Sequence, residues 1–369
     1  MLIDRRLLTH LNWGLLAALL ALFAVGLLNL YSASGTRAED GLALASFYRR
    51  QLIWGLGGFA AMTAVMSFDY RRLTTVSTFF YIVSVLALLM VPLFGKLVYG
   101  ARRWLDLGVF NFQPSEMAKI SVLLLGAQML AKNAEVLSWK GLAQITAMGL
   151  VPTLLILTQP DLGTGLTVLF ILGAMILYHG LTPAVLKTCL LTLPLFLPLT
   201  WFALHDYQKR RILTFLDPSN DPLGSGYHIM QSQIAIGSGQ IWGKGFLHGT
   251  QSQLRFLPEK HTDFALAVLG EEWGFVGCIL LLLLSCFFLL AIFNTVRDAK
   301  DRFGSTLAAG VFVYFFWQIS INMGMVLGLM PVVGIPLPFI SYGGSATILN
   351  FALVGLVQSV SMRRFMFKS

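Results

Sequence analysis

About ten times along this chain of 369 residues, a run of roughly 20 residues passes with almost no charge. No other feature constrains the fold so tightly, because an α-helix of about 20 residues is what crosses the ~30 Å hydrocarbon layer of a bilayer. The runs lie near 12–31, 51–68, 73–94, 115–131, 141–158, 162–179, 184–204, 264–293, 304–328 and 343–361. Several are separated by only a few residues, which makes consecutive helices antiparallel neighbours. The chain is 56% hydrophobic and 12% charged, against about 25% charged for a soluble domain, and its mean hydropathy is +0.74. A water-soluble fold cannot hide that much apolar surface. A bilayer removes the cost once each backbone polar group is satisfied within a helix. The expectation is an all-α polytopic membrane protein of about ten transmembrane helices, with 1–369 forming a single membrane domain. No clear cleavage site follows the first run, Leu11–Leu30, so it is expected to remain as a helix.

The net charge of +9 does not indicate nucleic acid, because the cations are dispersed among loops and form no continuous stripe. Their distribution instead sets an orientation. With the N-terminus cytoplasmic, the inner loops and tails hold Arg5, Arg6, Arg71, Arg72, Lys132, Lys140, Lys187, Arg297, Lys300, Arg302, Arg363, Arg364 and Lys368. The short outer loops hold Arg37, Arg49, Arg50, Lys96, Arg102 and Arg103, a bias of about two to one. Both termini are then cytoplasmic, and one large extracytoplasmic loop, about 205–263, lies between helices 7 and 8. Cys189, Cys278 and Cys286 fall inside apolar runs and read as packing residues.

Under this topology Arg102, Arg103, Lys209, Arg210, Arg211, Arg255 and Lys260 are outer cations that orientation does not require. Ordinary solvated loop charge is one explanation; an anionic ligand at the outer surface is the other, and clustering in two loops favours it. Near them Pro114 suits the first turn of a helix, which puts Glu116 and Lys119 three apart on one face just inside the membrane. That pair is either a structural ion pair or, with the helix N-terminus and Arg103, a phosphate seat. Thr262 and Asp263 read as helix-capping residues. Asp263 reads equally as a proton acceptor, held ionised by the helix dipole and by Lys260 or His261. Glu271 and Glu272, two turns deeper, are expected to pair with buried cations. Asp217 and Asp221 in a turn-rich stretch leave a divalent cation open. Tyr227–Gly239 looks amphipathic and suited to the membrane interface. Three prolines and a Gly pair in Met330–Gly344 imply broken backbone at membrane depth.

Six segments carry a resemblance: Gly100-Ala-Arg-Arg-Trp-Leu105, Gln113-Pro-Ser-Glu…Lys119, Gln159-Pro-Asp-Leu-Gly-Thr164, Asp221-Pro-Leu-Gly-Ser-Gly-Tyr227, Leu257-Pro-Glu-Lys-His-Thr-Asp-Phe264 and Pro338-Phe-Ile-Ser-Tyr-Gly-Gly344. In order and spacing the chain resembles the SEDS family of bacterial shape, elongation, division and sporulation proteins, over essentially its whole length. The run Gly249–Phe256 and the short tails favour the elongation branch.

The resemblance implies a peptidoglycan glycosyltransferase that polymerises lipid II at the outer face of the cytoplasmic (inner) membrane, in cell elongation and rod-shape maintenance. It implies Asp263 as the catalytic base. Arg103, Lys119 and Arg210 or Arg211 are the implied phosphate ligands, with Glu116 orienting Lys119 and with Lys260 and His261 beside the base. No cofactor is evident, and a divalent cation stays open. The implied partners are a class B penicillin-binding protein transpeptidase and other elongation-complex membrane proteins. A lipid II flippase, or a non-catalytic scaffold for a transpeptidase, is the rival. The favouring feature for the enzyme is a carboxylate in an outer loop, where a transporter would place coupling acids near the midplane.

Overall fold

The computed structural model describes residues 9–34, 46–98, 101–106, 108, 111–133, 135–204, 206–218, 221, 224–254, 256–257 and 259–365. Arg5, Arg6, Arg37, Arg255 and Lys368, named above as cations, lie outside the described residues, as do Gly100, Pro222, Leu223 and Pro258 of the segments and His205 at the start of the long loop.

Each apolar run is a helix: α1 (Trp13–Ala33), α2 (Ser46–Ser67), α3 (Leu73–Phe94), α4 (Pro114–Lys132), α5 (Trp139–Thr158), α6 (Leu162–His179), α7 (Pro183–Ala203), α11 (Ala265–Asp298), α12 (Arg302–Val326) and α13 (Gly344–Met362). Seven are long and apolar enough to cross a membrane, α3 counted with the short 3-10 turn Tyr70–Arg72 before it. The others are α2, α4 and α7, and α4 carries Glu116 and Lys119 in its first turns. Of the seven, α12 and α13 are the most enclosed; α13 packs chiefly on α2, and α12 on α11 and α6. Between α12 and α13 Tyr314 Oη donates to Asn350 Oδ1 at 2.7 Å, so the buried polar groups satisfy each other.

The two ends of the bundle differ. At one, Arg71 pairs with Asp301 (3.6 Å), Arg364 with Asp298 (2.8 Å) and Arg363 with Asp69 (4.0 Å). There Gln358 also clasps the main chain of Asn12, accepting from its N–H at 3.0 Å and donating to its carbonyl at 2.8 Å. At the other end, three features depart from a plain helical bundle.

The first corrects the all-α expectation. Residues between α3 and α4 form a three-stranded antiparallel sheet, β1 (Gly95–Val98), β2 (Ala101–Asp106) and β3 (Asn111–Phe112) in that order. Lys96 stands opposite Trp104, and Leu105 opposite Phe112. The strands are too short for hydrophobic periodicity to reveal them.

The second is the long loop, which folds into α8 (Asp206–Leu216), α9 (Ser225–Ser238) and the single turn α10 (Thr250–Gln253). α9 packs on α11 and α12. Its Ser232 Oγ donates to the Val326 carbonyl at 2.9 Å. Beyond α9 the chain is spliced into α11, which is broken at Gly274 (φ 64°, ψ −161°). Above the break, the carbonyls of Glu271 and Glu272 accept from the N–H groups of Lys244 and Gly245, both at 3.0 Å. Below it, Phe275 and Val276 donate to the carbonyls of Gln240 (2.8 Å) and Ile241 (3.1 Å). The helix loses part of its own ladder, and the loop replaces it. Glycine is required here for its left-handed φ and because a Cβ on Gly274 would lie 2.3 Å from the Gly243 nitrogen.

The third is the broken backbone expected of Met330–Gly344: 327–343 is non-helical between α12 and α13. It dips into the core, where Phe339 packs among Phe288, Phe315 and Phe351 with ring centroids 5.5–5.6 Å apart. Gln51 of α2 holds it, donating to the Ser341 carbonyl at 3.3 Å and accepting from the Gly343 N–H at 3.3 Å.

Candidate active site

The sheet, the N-termini of α4 and α6, the turn before α11 and the 327–343 segment enclose a cavity of about 420 Å³. Of the residues expected to carry chemistry, Arg103, Glu116, Lys119 and Asp263 line it; Arg210, Arg211, Lys260 and His261 do not.

Arg103 projects from β2 and is fixed by two main-chain acceptors. Its Nε donates to the Gln159 carbonyl at 3.2 Å and its Nη2 to the Pro160 carbonyl. The guanidinium thus ties the sheet to the start of α6, beside Asp161. On α4 Pro114 occupies the first turn as expected. Lys119 and Glu116 form an ion pair at 2.8 Å, almost wholly buried, and the Lys119 ammonium stands 5.2 Å from the centre of the Tyr314 ring. The other carboxylate oxygen, Glu116 Oε2, is buried without a hydrogen-bond partner, an acceptor left over on the wall of a polar cavity.

Asp263 is held through its backbone. Asn322 of α12 donates from one Nδ2 to the carbonyls of both Asp263 (2.9 Å) and Ile335 (2.8 Å), joining two walls of the cavity. The capping expectation fails. Phe264 is the N-cap and makes no side-chain capping bond, while Thr262 Oγ1 donates instead to Glu259. The electrostatic expectation also changes. Burial pushes the Asp263 carboxyl up to about 6, with Glu259 and Asp161 adding to the rise and Arg211 and Arg103 opposing it. The carboxylate is still largely ionised at pH 7, yet far more basic than a solvated one.

Lys260 and His261 do not sit beside that carboxylate. Lys260 is buried and donates to the Ser252 carbonyl. The His261 ring stacks on Phe47 at 4.7 Å, and burial, then the nearby Lys260, push it down to about 4, so it is a neutral imidazole. Consecutive residues in a tight turn, with Glu259 at φ +48°, send their side chains in different directions. The two loop arginines also separate. Arg211 is half-buried and within electrostatic reach of Arg103, Asp161 and Asp263, and burial lowers its pKa; Arg210 is exposed. Glu271 pairs with Lys244 at 2.8 Å as expected, whereas Glu272 takes the Ser32 hydroxyl and, among the described residues, no cation. Among the described residues, Asp217 and Asp221 join no group of three potential metal ligands.

Reading the residues one by one missed Asp161, a third carboxylate on the cavity wall beside Asp263 and Glu116. It caps α6, accepting from the Thr164 N–H at 3.2 Å and from Thr164 Oγ1 at 2.9 Å. Its signal was present in the segment Gln159–Thr164. Trp54, Trp104, Gln318 and Tyr342 also line it.

A family model for cell cycle proteins, that of FtsW, RodA and SpoVE, matches residues 13–365. The peptidoglycan glycosyltransferase MrdB of Escherichia coli K12 is 42% identical over 97% of this chain and 95% of its own. The peptidoglycan glycosyltransferase RodA of Treponema pallidum is 32% identical over 96% and 98%. Among solved structures, the rod shape determining protein RodA of Thermus thermophilus superposes with a TM-score of 0.70 at 29% identity, covering 97% of this chain and 98% of that one. A chain from a peptidoglycan synthase complex, described as showing structural coordination of polymerization and crosslinking, gives a TM-score of 0.82 at 33% identity, covering 97% and 99%.

Proposed function

The chain belongs to the FtsW, RodA and SpoVE family of cell cycle proteins, and from that premise we propose that its cavity polymerises lipid II into glycan strands. It is a multi-pass membrane protein and a peptidoglycan glycosyltransferase of the rod-shape, elongation type. Ten spans, both termini inside, and the long loop and cavity on the outer face of the inner membrane make up the proposed topology. The loop-charge bias supports it.

The observation that carries the reading is the Asp263 carboxylate, made more basic by burial and facing a cavity that also holds Arg103 and Lys119. In the proposed step Asp263 takes the proton of the 4-hydroxyl of the acceptor's N-acetylglucosamine. That oxygen bonds to the donor's anomeric carbon, and the bond from that carbon to the lipid pyrophosphate breaks. The pyrophosphate leaves with the bonding electrons, and Arg103, Lys119 and the nearby Arg211 stabilise its charge. Glu116 fixes Lys119. Arg210, Lys260 and His261 have no part in the step, and a divalent cation accompanying the pyrophosphate remains compatible with the cavity.

The transporter reading is less favoured. Asp161 and Asp263 stand at helix ends, where coupling acids of a transporter are not expected, and Lys119 lies over the fully buried Tyr314. A class B penicillin-binding protein is the proposed partner, a reading supported by the likeness to a chain of a peptidoglycan synthase complex. Purified protein incubated with that partner and lipid II should give a ladder of glycan strands on a gel. No polymer from folded protein would overturn the proposal.

A further inference from the structure

Glu271 is fully buried, and the glycosyl-transfer step leaves it unused. Its Oε1 accepts from Lys244 Nζ (2.8 Å), Thr250 Oγ1 (3.1 Å) and the Gln251 N–H (2.8 Å); its Oε2 accepts from the Ser252 N–H at 3.1 Å. Three of these donors come from consecutive residues of α10. The carbonyl of Ser252 in turn accepts from the buried Lys260 ammonium, three residues before Asp263. The turn between them is closed on one carbonyl, that of Glu259, which accepts from the N–H groups of Thr262 (3.1 Å) and Phe264 (3.3 Å). The backbone of Asp263 is thus held from two sides: by Asn322 on α12 and, through Lys260 and α10, by a carboxylate two turns down its own helix.

A buried ion pair is weak evidence of a contribution to stability, since apolar residues of similar volume often serve as well. What apolar packing cannot supply is direction, and a carboxylate accepting from two successive backbone N–H groups fixes both position and orientation. We infer that Glu271 is a positioning residue for Asp263, holding α10 and, through the Ser252 carbonyl and Lys260, the 259–263 turn in the register that points Asp263 into the cavity. The inference rests on the reading of Asp263 as the base.

The groups facing Asp263 are Glu259 from its own turn, Asp161 at the start of α6, Arg103 from β2, Arg211 from α8 and, across the cavity, the Glu116–Lys119 pair of α4. His228 of α9 stacks on the neighbouring Phe264 at 5.8 Å, and His261 lies within the turn. Slackening the turn exposes Asp263 and frees Glu259 to move away. Both changes remove influences that raise the Asp263 pKa, so the acid limb of the pH–rate profile moves to lower pH.

The test follows polymerisation of fluorescent lipid II by the purified full-length protein as a function of pH. Glu271→Ala should lower the plateau rate by about 10- to 100-fold, the scale of an ångström-level misplacement. Its acid limb should move below that of the wild type, with KM for lipid II unchanged. Glu271→Gln, which keeps one oxygen for the α10 N–H groups, should recover part of both. Lys260→Met breaks the same relay at its other end and should reproduce the shift, and the Glu271→Ala/Lys260→Met double variant should be no worse than either single one. A slower rate with an unmoved limb, or losses that multiply in the double variant, would overturn the inference. If Glu271→Ala fails to accumulate, Glu271→Gln and Lys260→Met give the same readouts. Asp263→Asn separates the two readings. If it is active, the base assignment falls; if it is inactive while the Glu271→Ala limb stays put, only the positioning role falls.

Discussion

Replacing Asp263 with asparagine removes the proton acceptor at nearly constant size, and the structure specifies what else changes. No helix cap is lost, because the side chain caps nothing, and the bond from Asn322 goes to the backbone carbonyl and survives. What disappears is a buried negative charge. The rise of the carboxyl from 3.8 to about 6 corresponds to about 3 kcal/mol against the ionised form in the folded state. A carboxylate whose folded pKa lies above its unfolded value destabilises the fold at high pH. The penalty is complete above about pH 6 and gone below about pH 4. Asp263→Asn should therefore raise the melting temperature at pH 7 to 8, with the advantage fading toward pH 4. Activity should move the opposite way, since losing a general base costs about 10²–10⁴-fold in rate. Thermal unfolding in detergent across pH, together with glycan synthesis from lipid II, measures both. Near-normal polymer from the folded variant would refute the base assignment, and a stability gain that does not depend on pH would refute the electrostatic argument.

Arg211 opposes the rise in the Asp263 pKa, so Arg211→Ala should move the acid limb of the pH–rate profile upward, while the exposed Arg210→Ala leaves it in place. Lys119→Met should impair polymerisation at normal abundance. If the Glu116→Gln/Lys119→Met double variant regains activity, the pair is structural and holds no phosphate. In a cysteine-free background, impermeant thiol labelling of intact cells should reach Trp242→Cys and not Lys140→Cys; the reverse would invert the topology.

The ten apolar runs were legible because a span that must be apolar for about 20 residues leaves a signal no loop can imitate. The three strands between α3 and α4 left none, being only two to six residues long. Arg103, Glu116, Lys119 and Asp263 were legible as ionisable groups where membrane topology asks for none. Asp161 hid behind an ordinary helix-capping role, which it also performs. Lys260 and His261 were misplaced because adjacency along a chain says little about side-chain direction in a tight turn: one reaches to Ser252, the other lies on Phe47.

The non-helical 327–343 segment bears on how the protein is made. Phe339 seats among rings contributed by α11, α12 and α13, and its carbonyl lies so near α1 that a Cβ on Gly26 would come within 2.2 Å. Helices that enter the bilayer one after another and then associate cannot build this arrangement until α13 has arrived. A nascent chain halted before residue 344 would already carry Asp263, but the segment facing it would lack the Phe351 ring that closes the seat of Phe339. Closing that part of the core, and with it the cavity wall opposite Asp263, therefore waits for α13.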